Sequence, residues 1–370
     1  MKLVCSQLDL DSALNIVGKA INQNTTLPVL NNVLLKAEQG SLHFSGTNLE
    51  IAIQTLIPAE VKEEGSITVP AKLLMSYISL LKDEKVELLV DENNTLIIKA
   101  PSSQTKIKGI AADEFPIIPT VNKDQVFKVS RKDLDVAISQ TVFAAATNTA
   151  RPVLSGLLFD LKQDALKLVA TDSYRLAEKK VVLKERVDFD LQAIVPARTV
   201  TELGKIIGKS NVEEIEITVS KNQILFVAGE TKMISRLIEG KFPDYEKIIP
   251  QSSRTKVDVK TDELSLVVRR VGLFARENNN NIKCSVTSDG KLTVSTDETK
   301  VGEEKAELMG RVEGEENKIA LNSQYLLDGL NFIQSDEITL ELDDKLSPAV
   351  IRVSKESEKT YMYIIMPLKI

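Results

Sequence analysis

The chain has 370 residues, 43% of them hydrophobic and 27% charged, which is the content of two or three packed domains at roughly 100–200 residues each. Its 47 Lys and Arg against 53 Asp and Glu leave a net charge of −6, which excludes a globally basic nucleic-acid binder but not a basic stripe on an acidic protein. One histidine, two cysteines, no tryptophan and 4% aromatic residues exclude histidine-rich metal chemistry, a cysteine zinc site, a disulfide framework and an aromatic platform for single strands.

The N-terminus, Met1-Lys2-Leu3-Val4-Cys5-Ser6, carries no apolar run of signal-peptide length. No stretch approaches the ~18 uncharged apolar residues of a membrane span. The expectation is a soluble cytoplasmic protein with Cys5 and Cys284 as packed thiols. Leu10, Ala13, Leu14 and Val17 have helical spacing and predict a helix over 10–21. Alternation around Leu42-His43-Phe44 predicts a strand with His43 turned away from the core. A second helix is expected over 71–83, then strands at 85–89 and 95–99. The same plan recurs with helices over 131–146 and 197–209 and a strand at 214–217. It recurs again with helices over 262–277 and 322–335 and a strand at 337–342. Glu277-Asn278-Asn279-Asn280-Asn281 reads as a surface turn. Runs of strands around two isolated helices imply an α+β fold, with helices on one face of antiparallel sheets.

That recurrence is a triplication. Pro70-Ala71-Lys72, Pro196-Ala197-Arg198 and Asn322-Ser323-Gln324 open three helices at a constant interval (196 − 70 and 322 − 196 are both 126). Leu27-Pro28-Val29-Leu30 matches Arg151-Pro152-Val153-Leu154. Gly46-Thr47-Asn48 matches Ala170-Thr171-Asp172 and Ser295-Thr296-Asp297. Phe115-Pro116, Phe242-Pro243 and Met366-Pro367 close the units. Solenoid units run only ~20–50 residues, so each repeat is a whole domain: 1–121, 122–249 and 250–370. The joins Pro119-Thr120-Val121-Asn122-Lys123 and Pro250-Gln251-Ser252-Ser253-Arg254 read as polar, proline-marked linkers.

Charge follows the helices. The six helical segments carry 11 basic and 9 acidic side chains, +2 against −8 for the remainder. Arg198, Lys205 and Lys209 share a face opposite Val200, Leu203 and Ile207, diluted by Glu202. Arg269 and Arg276 lie opposite Leu264, Val267, Val268 and Val271. On charge alone an ordinary solvated helix face is the favoured reading. Catalytic signatures are missing: there is no glycine-rich phosphate or dinucleotide loop, no zinc-protease helix and no nucleophile elbow. Thr171-Asp172-Ser173-Tyr174-Arg175 invites an acid–base reading, but a strand end and turn accounts for it as well. No reaction class follows from named roles, so an enzyme is not expected.

The triplicated plan, with Thr26-Leu27-Pro28-Val29-Leu30, Ala170-Thr171-Asp172-Ser173-Tyr174-Arg175-Leu176-Ala177, Phe242-Pro243-Asp244-Tyr245 and Met366-Pro367-Leu368-Lys369-Ile370, resembles the bacterial DNA polymerase III β subunits, the sliding clamps. The resemblance covers the whole chain. It implies three topologically similar domains per chain and two chains closed head to tail into a six-domain ring. Helices would line the hole and sheets the outside. The implied function is to encircle duplex DNA and tether the replicative polymerase for processive synthesis, with no catalytic site, cofactor or metal. Weak Lys and Arg attraction to phosphates is sequence-independent and permits sliding.

By the same resemblance, Lys72, Arg131, Lys132, Arg198, Lys205, Arg269 and Arg270 face DNA, and Ile107, Leu273 and Phe274 sit at the dimer interface. A pocket for a short peptide of the Gln-Leu-x-Leu-Phe type, from polymerases, the clamp loader and repair proteins, carries over to Leu154, Thr171, Ser173, Tyr174, Arg175, Leu176, Pro243, Lys247, Ile248, Asn322, Tyr325, Ile364, Met366, Pro367 and Leu368. The chain departs from the family's habit at Asn24, where arginine is frequent, and at Tyr174, where smaller or imidazole side chains are common. A repeat-built protein-binding scaffold that never encircles DNA is the alternative reading.

Overall fold

The structure, a computed structural model, describes residues 1–370 except 22–26, 83, 102, 123, 124, 149, 354–359 and 370. Asn24, Thr26, Lys123 and Ile370, all named above, lie outside the described residues. Among the described residues the α-helices are α1 (Gln7–Val17), α2 (Ala71–Leu80), α3 (Arg131–Thr141), α4 (Ala197–Ile207), α5 (Thr261–Ala275) and α6 (Ser323–Leu330). There are two per repeat, in an otherwise antiparallel α+β fold.

The expected helix bounds shift for local reasons. α1 begins at Gln7, not Leu10, because the Ser6 side chain caps it by accepting from Asp9 N at 3.4 Å. Leu10, Ala13, Leu14 and Val17 are its buried stripe. α1, α3 and α5 each run on into a 3₁₀ turn, at Gly18–Ala20, Val142–Ala144 and Arg276–Asn278. α6 stops at Leu330, short of 335. Its Gly329 lies so close to the last strand that a Cβ there would sit 2.4 Å from the Tyr363 ring.

The chain divides into two compact units, Met1–Arg131 with Glu202–Leu237, and Lys132–Thr201 with Ile238–Ile370. The cut runs through the middle repeat because its strands join two different sheets. In the first unit a five-stranded sheet runs in the spatial order Glu60–Glu63, Lys2–Ser6, Lys85–Val90, Thr95–Ala100, Ser103–Lys108. An eight-stranded sheet continues from the middle repeat's Gln125–Ser130, Glu214–Val219, Gln223–Ala228 and Thr231–Arg236 into the first repeat's Ile51–Pro58, Ser41–Thr47, Asn32–Glu38 and Gly65–Pro70. α1 packs on α2, and Gln7 Nε2 donates to Ile78 O at 2.8 Å. His43 is half-exposed beside Glu38, as the alternation requires.

In the second unit a nine-stranded sheet takes Leu191–Pro196, Gly156–Lys162, Ala165–Thr171 and Arg175–Val182 from the middle repeat. It continues through Tyr361–Ile365, Ala349–Val353, Glu337–Leu342, Thr255–Lys260 and Arg311–Gly314 of the third. A four-stranded sheet, Lys305–Met309, Lys291–Ser295, Asn281–Val286 and Asn317–Asn322, completes it, with α5 packed on α6.

Gly156–Leu161 and Tyr361–Ile365 are buried at every position, without the alternation of a one-sided sheet. Phe242 and Tyr245 explain this. They join Leu158, Val169, Leu176, Ile194, Val350, Met362 and Ile364 in one core, with Val153, Ile238 and Ile249 against it. Ile249, just before the second proline-marked join, is thus packed on a core. Ile118 and Val121 likewise pack on Ala52, Leu225 and Ile234 in the first unit. Cys5 and Cys284 are free and buried, and burial pushes both thiols up to about 12.

Candidate peptide pocket and basic helix faces

The pocket residues that the resemblance names lie together in the second unit, around the corner joining strands Ala165–Thr171 and Arg175–Val182. Asp172 Oδ1 accepts from Tyr174 N at 2.9 Å and Arg175 N at 3.0 Å. Thr171 Oγ1 donates to Arg175 O at 2.6 Å and accepts from Ser173 N at 3.1 Å. Ser173 takes a φ of 80°, and Tyr174 is left 62% exposed. The segment is thus a built turn, with Asp172 engaged by backbone and Arg175, and it offers no acid–base pair.

The C-terminal strand folds back beside this corner. Ile365 pairs with Arg175 and Ile364 with Leu176. Beyond the strand, Met366 N donates to Tyr174 O at 2.8 Å and Leu368 N to Ala320 O at 2.8 Å. Leu154, Leu176 and Ile364 are buried floor, and Met366, Pro367 and Leu368 are half-buried. Pro243, Lys247 and Ile248 are exposed, and Lys247 pairs with Asp244 at 2.7 Å. Phe242, Tyr245, Val350 and Met362 complete the greasy floor and were not named from sequence. The motif Phe242-Pro243-Asp244-Tyr245 was the available signal for two of them.

α6 supplies the remaining wall. Asn322 is its N-cap, Oδ1 accepting from Gln324 N at 2.9 Å and Tyr325 N at 3.1 Å, so this side chain builds the helix start. Arg175, with its side chain 11% exposed, is held on every side. Nε donates to Asp172 Oδ2 at 3.0 Å, Nη1 to Asp328 Oδ2 at 2.5 Å and Nη2 to Phe143 O at 2.9 Å. Its guanidinium lies 4.5 Å from the Tyr325 ring centre and 5.5 Å from that of Phe143. Burial opposes the charge, but Tyr363, Asp328 and Asp172 outweigh it and raise the Arg175 pKa.

The basic residues divide. Lys72, Lys132, Arg198, Lys205, Arg269 and Arg270 are exposed on their helices. Lys205 pairs with Glu202 at 2.8 Å and Arg270 with Glu304 at 3.1 Å, while Arg269 Nη2 donates to Asn331 Oδ1 at 3.5 Å. Arg131 is half-buried and donates from Nη1 to Ile207 O at 3.4 Å, satisfying the carboxyl end of α4. Lys19 belongs with this group and was not named from sequence. Burial lowers its pKa, Glu202 raises it, and the charges of Lys205 and Lys209 lower it.

Of the interface candidates, Leu273 is 55% exposed and Phe274 half-buried against Gly302. Ile107 lies on an edge strand, with its side chain 4% exposed because the pleat turns it into the first-repeat core. Its strand Ser103–Lys108 is nevertheless the last of its sheet, as Lys305–Met309 is in the third repeat. Among the described residues no group of three or more His, Cys, Asp or Glu is placed to hold a metal.

Comparison with known proteins decides the family. The DNA polymerase III beta subunit N-terminal, central and C-terminal domains match residues 1–119, 128–244 and 246–369. The chain belongs to the sliding clamps, the beta subunits of DNA polymerase III. The beta sliding clamp of Staphylococcus aureus is 32% identical over 365 residues, covering 96% of each chain. The solved sliding clamp of Bacillus subtilis superposes with a TM-score of 0.95 at 29% identity, over 100% of this chain and 99% of that one. A Pseudomonas aeruginosa clamp bound to griselimycin gives 0.95 at 28% identity over 100% of both. The chain is therefore a three-domain clamp of the replication machinery, a processivity factor and not a catalyst. Among the described residues no helix is long and apolar enough to cross a membrane.

Proposed function

We propose that the chain works as a closed head-to-tail homodimer that encircles duplex DNA in the cytoplasm. Its domains are 1–121, 122–249 and 250–370. The observation that carries the reading is a matched pair of features in the first and third repeats, each a sheet edge beside an exposed leucine stripe among the described residues. The first repeat has the terminal strand Ser103–Lys108 and, on α2, Leu73 and Leu80 at 55% and 79% exposure. The third repeat has the terminal strand Lys305–Met309 and, on α5, Leu266 and Leu273 at 57% and 55% exposure. Each leucine pair is spaced i, i+7 and so shares one helix face. Strand edge against strand edge and leucine stripe against leucine stripe would satisfy both, and two-fold symmetry closes the assembly. Light scattering on the eluted peak tests this: twice the 40.9 kDa chain mass is expected, and a monomer at micromolar protein would refute it.

The pocket is proposed to take a Gln-Leu-x-Leu-Phe-type peptide from the replicative polymerase, the clamp loader and repair proteins. Its floor is apolar and its rim, Tyr174, Ile248 and Met366, is accessible. Burying the peptide's Leu and Phe contributes about 1.5–3 kcal/mol each. Ordering the peptide offsets much of that, so a bare peptide binds at about micromolar strength. Thioether flexibility at Met366 suits several partners.

A further inference from the structure

The guanidinium of Arg175 lies at the pocket, and carry-over from the family would make it a ligand for the incoming peptide. Its surroundings point elsewhere. A guanidinium has five N–H donors, and the three bonds described above direct its three nitrogens to Asp172, Asp328 and Phe143 O. Asp328 is itself fixed, with Oδ1 accepting from Gln324 Nε2 at 2.7 Å. Phe143 is stacked on Phe332 at 5.3 Å and set edge-on to Tyr363 at 5.4 Å. The Tyr363 hydroxyl donates to Tyr325 O at 2.8 Å. The cation thus joins the middle repeat's corner and 3₁₀ turn to α6 of the third repeat, within one unit.

We propose that Asp328 is a positioning residue of the peptide pocket, and that Arg175 is an internal brace and not a charge offered to the ligand. The brace holds the Tyr325 ring flat beneath the cation. It also holds the Ser173–Tyr174 corner, whose carbonyl anchors Met366 N. Asp328 need not touch the peptide for its loss to be felt, because Arg175 freed from it would leave Tyr325 and the corner unsupported. The proposal rests on the peptide reading above.

The test is a titration of a fluorescent Gln-Leu-Ser-Leu-Phe peptide, and of its Gln-Leu-Asp-Leu-Phe analogue, on the full-length protein. Asp328→Asn and Arg175→Gln should each weaken both peptides about tenfold, and the double variant should be no weaker than the worse single, the sign of one shared interaction. Asp328→Glu, which keeps the charge, should recover most of the affinity. Dimer mass and melting temperature are read in parallel, and the Glu variant keeps the test decisive if the Asn variant folds poorly. A loss in Arg175→Gln with Asp328→Asn unmoved, or a loss confined to the acidic analogue, would mean that Arg175 meets the peptide directly and would overturn the brace. Met366→Asp separates the two failures. If it leaves affinity unchanged, the pocket reading falls and the brace with it. If it abolishes binding while Asp328→Asn does nothing, the brace alone is wrong.

Discussion

Met366 stands where the last strand leaves its sheet, its amide held by Tyr174 O and its side chain half-buried at the rim of an apolar floor. A carboxylate there has no cation among the pocket's groups that is not already engaged, so Met366→Asp should weaken the peptide by about a hundredfold while leaving the dimer intact. Peptide titration beside a mass measurement checks both halves. The thiols make a second residue-scale case. Cys5 and Cys284 are buried, and burial, aided at Cys5 by the charge of Asp9, pushes both up to about 12. The reactive thiolate is therefore scarce as well as inaccessible near neutral pH. Alkylation of the native protein should label neither cysteine, and denaturation should expose both, as intact mass will show.

At the scale of elements, α5 carries two faces: Leu264, Val267, Val268 and Val271 inward, Leu266 and Leu273 outward. Replacing Leu266 and Leu273 together with Asp should yield folded monomers, because only the exposed stripe is changed. A double variant that still runs as a dimer at micromolar concentration would place the interface elsewhere. How much of this was legible depended on how local the cause was. The three repeats, the two helices in each and the turn at Asp172 could be read because each is set by spacing or by neighbours in the chain. Leu273 was named by the resemblance, and its partner Leu266 was equally legible as the same helix face one heptad earlier. Pleat parity alone turns the Ile107 side chain inward. Arg131 could not have been placed, because its partner Ile207 lies 76 residues away. Nor could the packing of Val121 in the first join, or of Ile249 beside the second, be read, since the sheets they cover are assembled from residues far along the chain.

For the whole molecule, a net charge of −6 with acidic side chains thinned on the helices, so that these carry a small positive balance, gives weak, sequence-blind attraction to phosphates. Replacing Arg198, Lys205 and Arg269 with Ala should slow loading onto primed DNA and leave the dimer mass unchanged, which kinetic and scattering measurements can separate. Retention itself should come from topology. The most direct measurement is the lifetime of the loaded protein on a closed DNA circle before and after a single cut. The account predicts long residence on the circle and prompt release from the free ends once it is linearised. Equal lifetimes on the two forms would contradict encirclement.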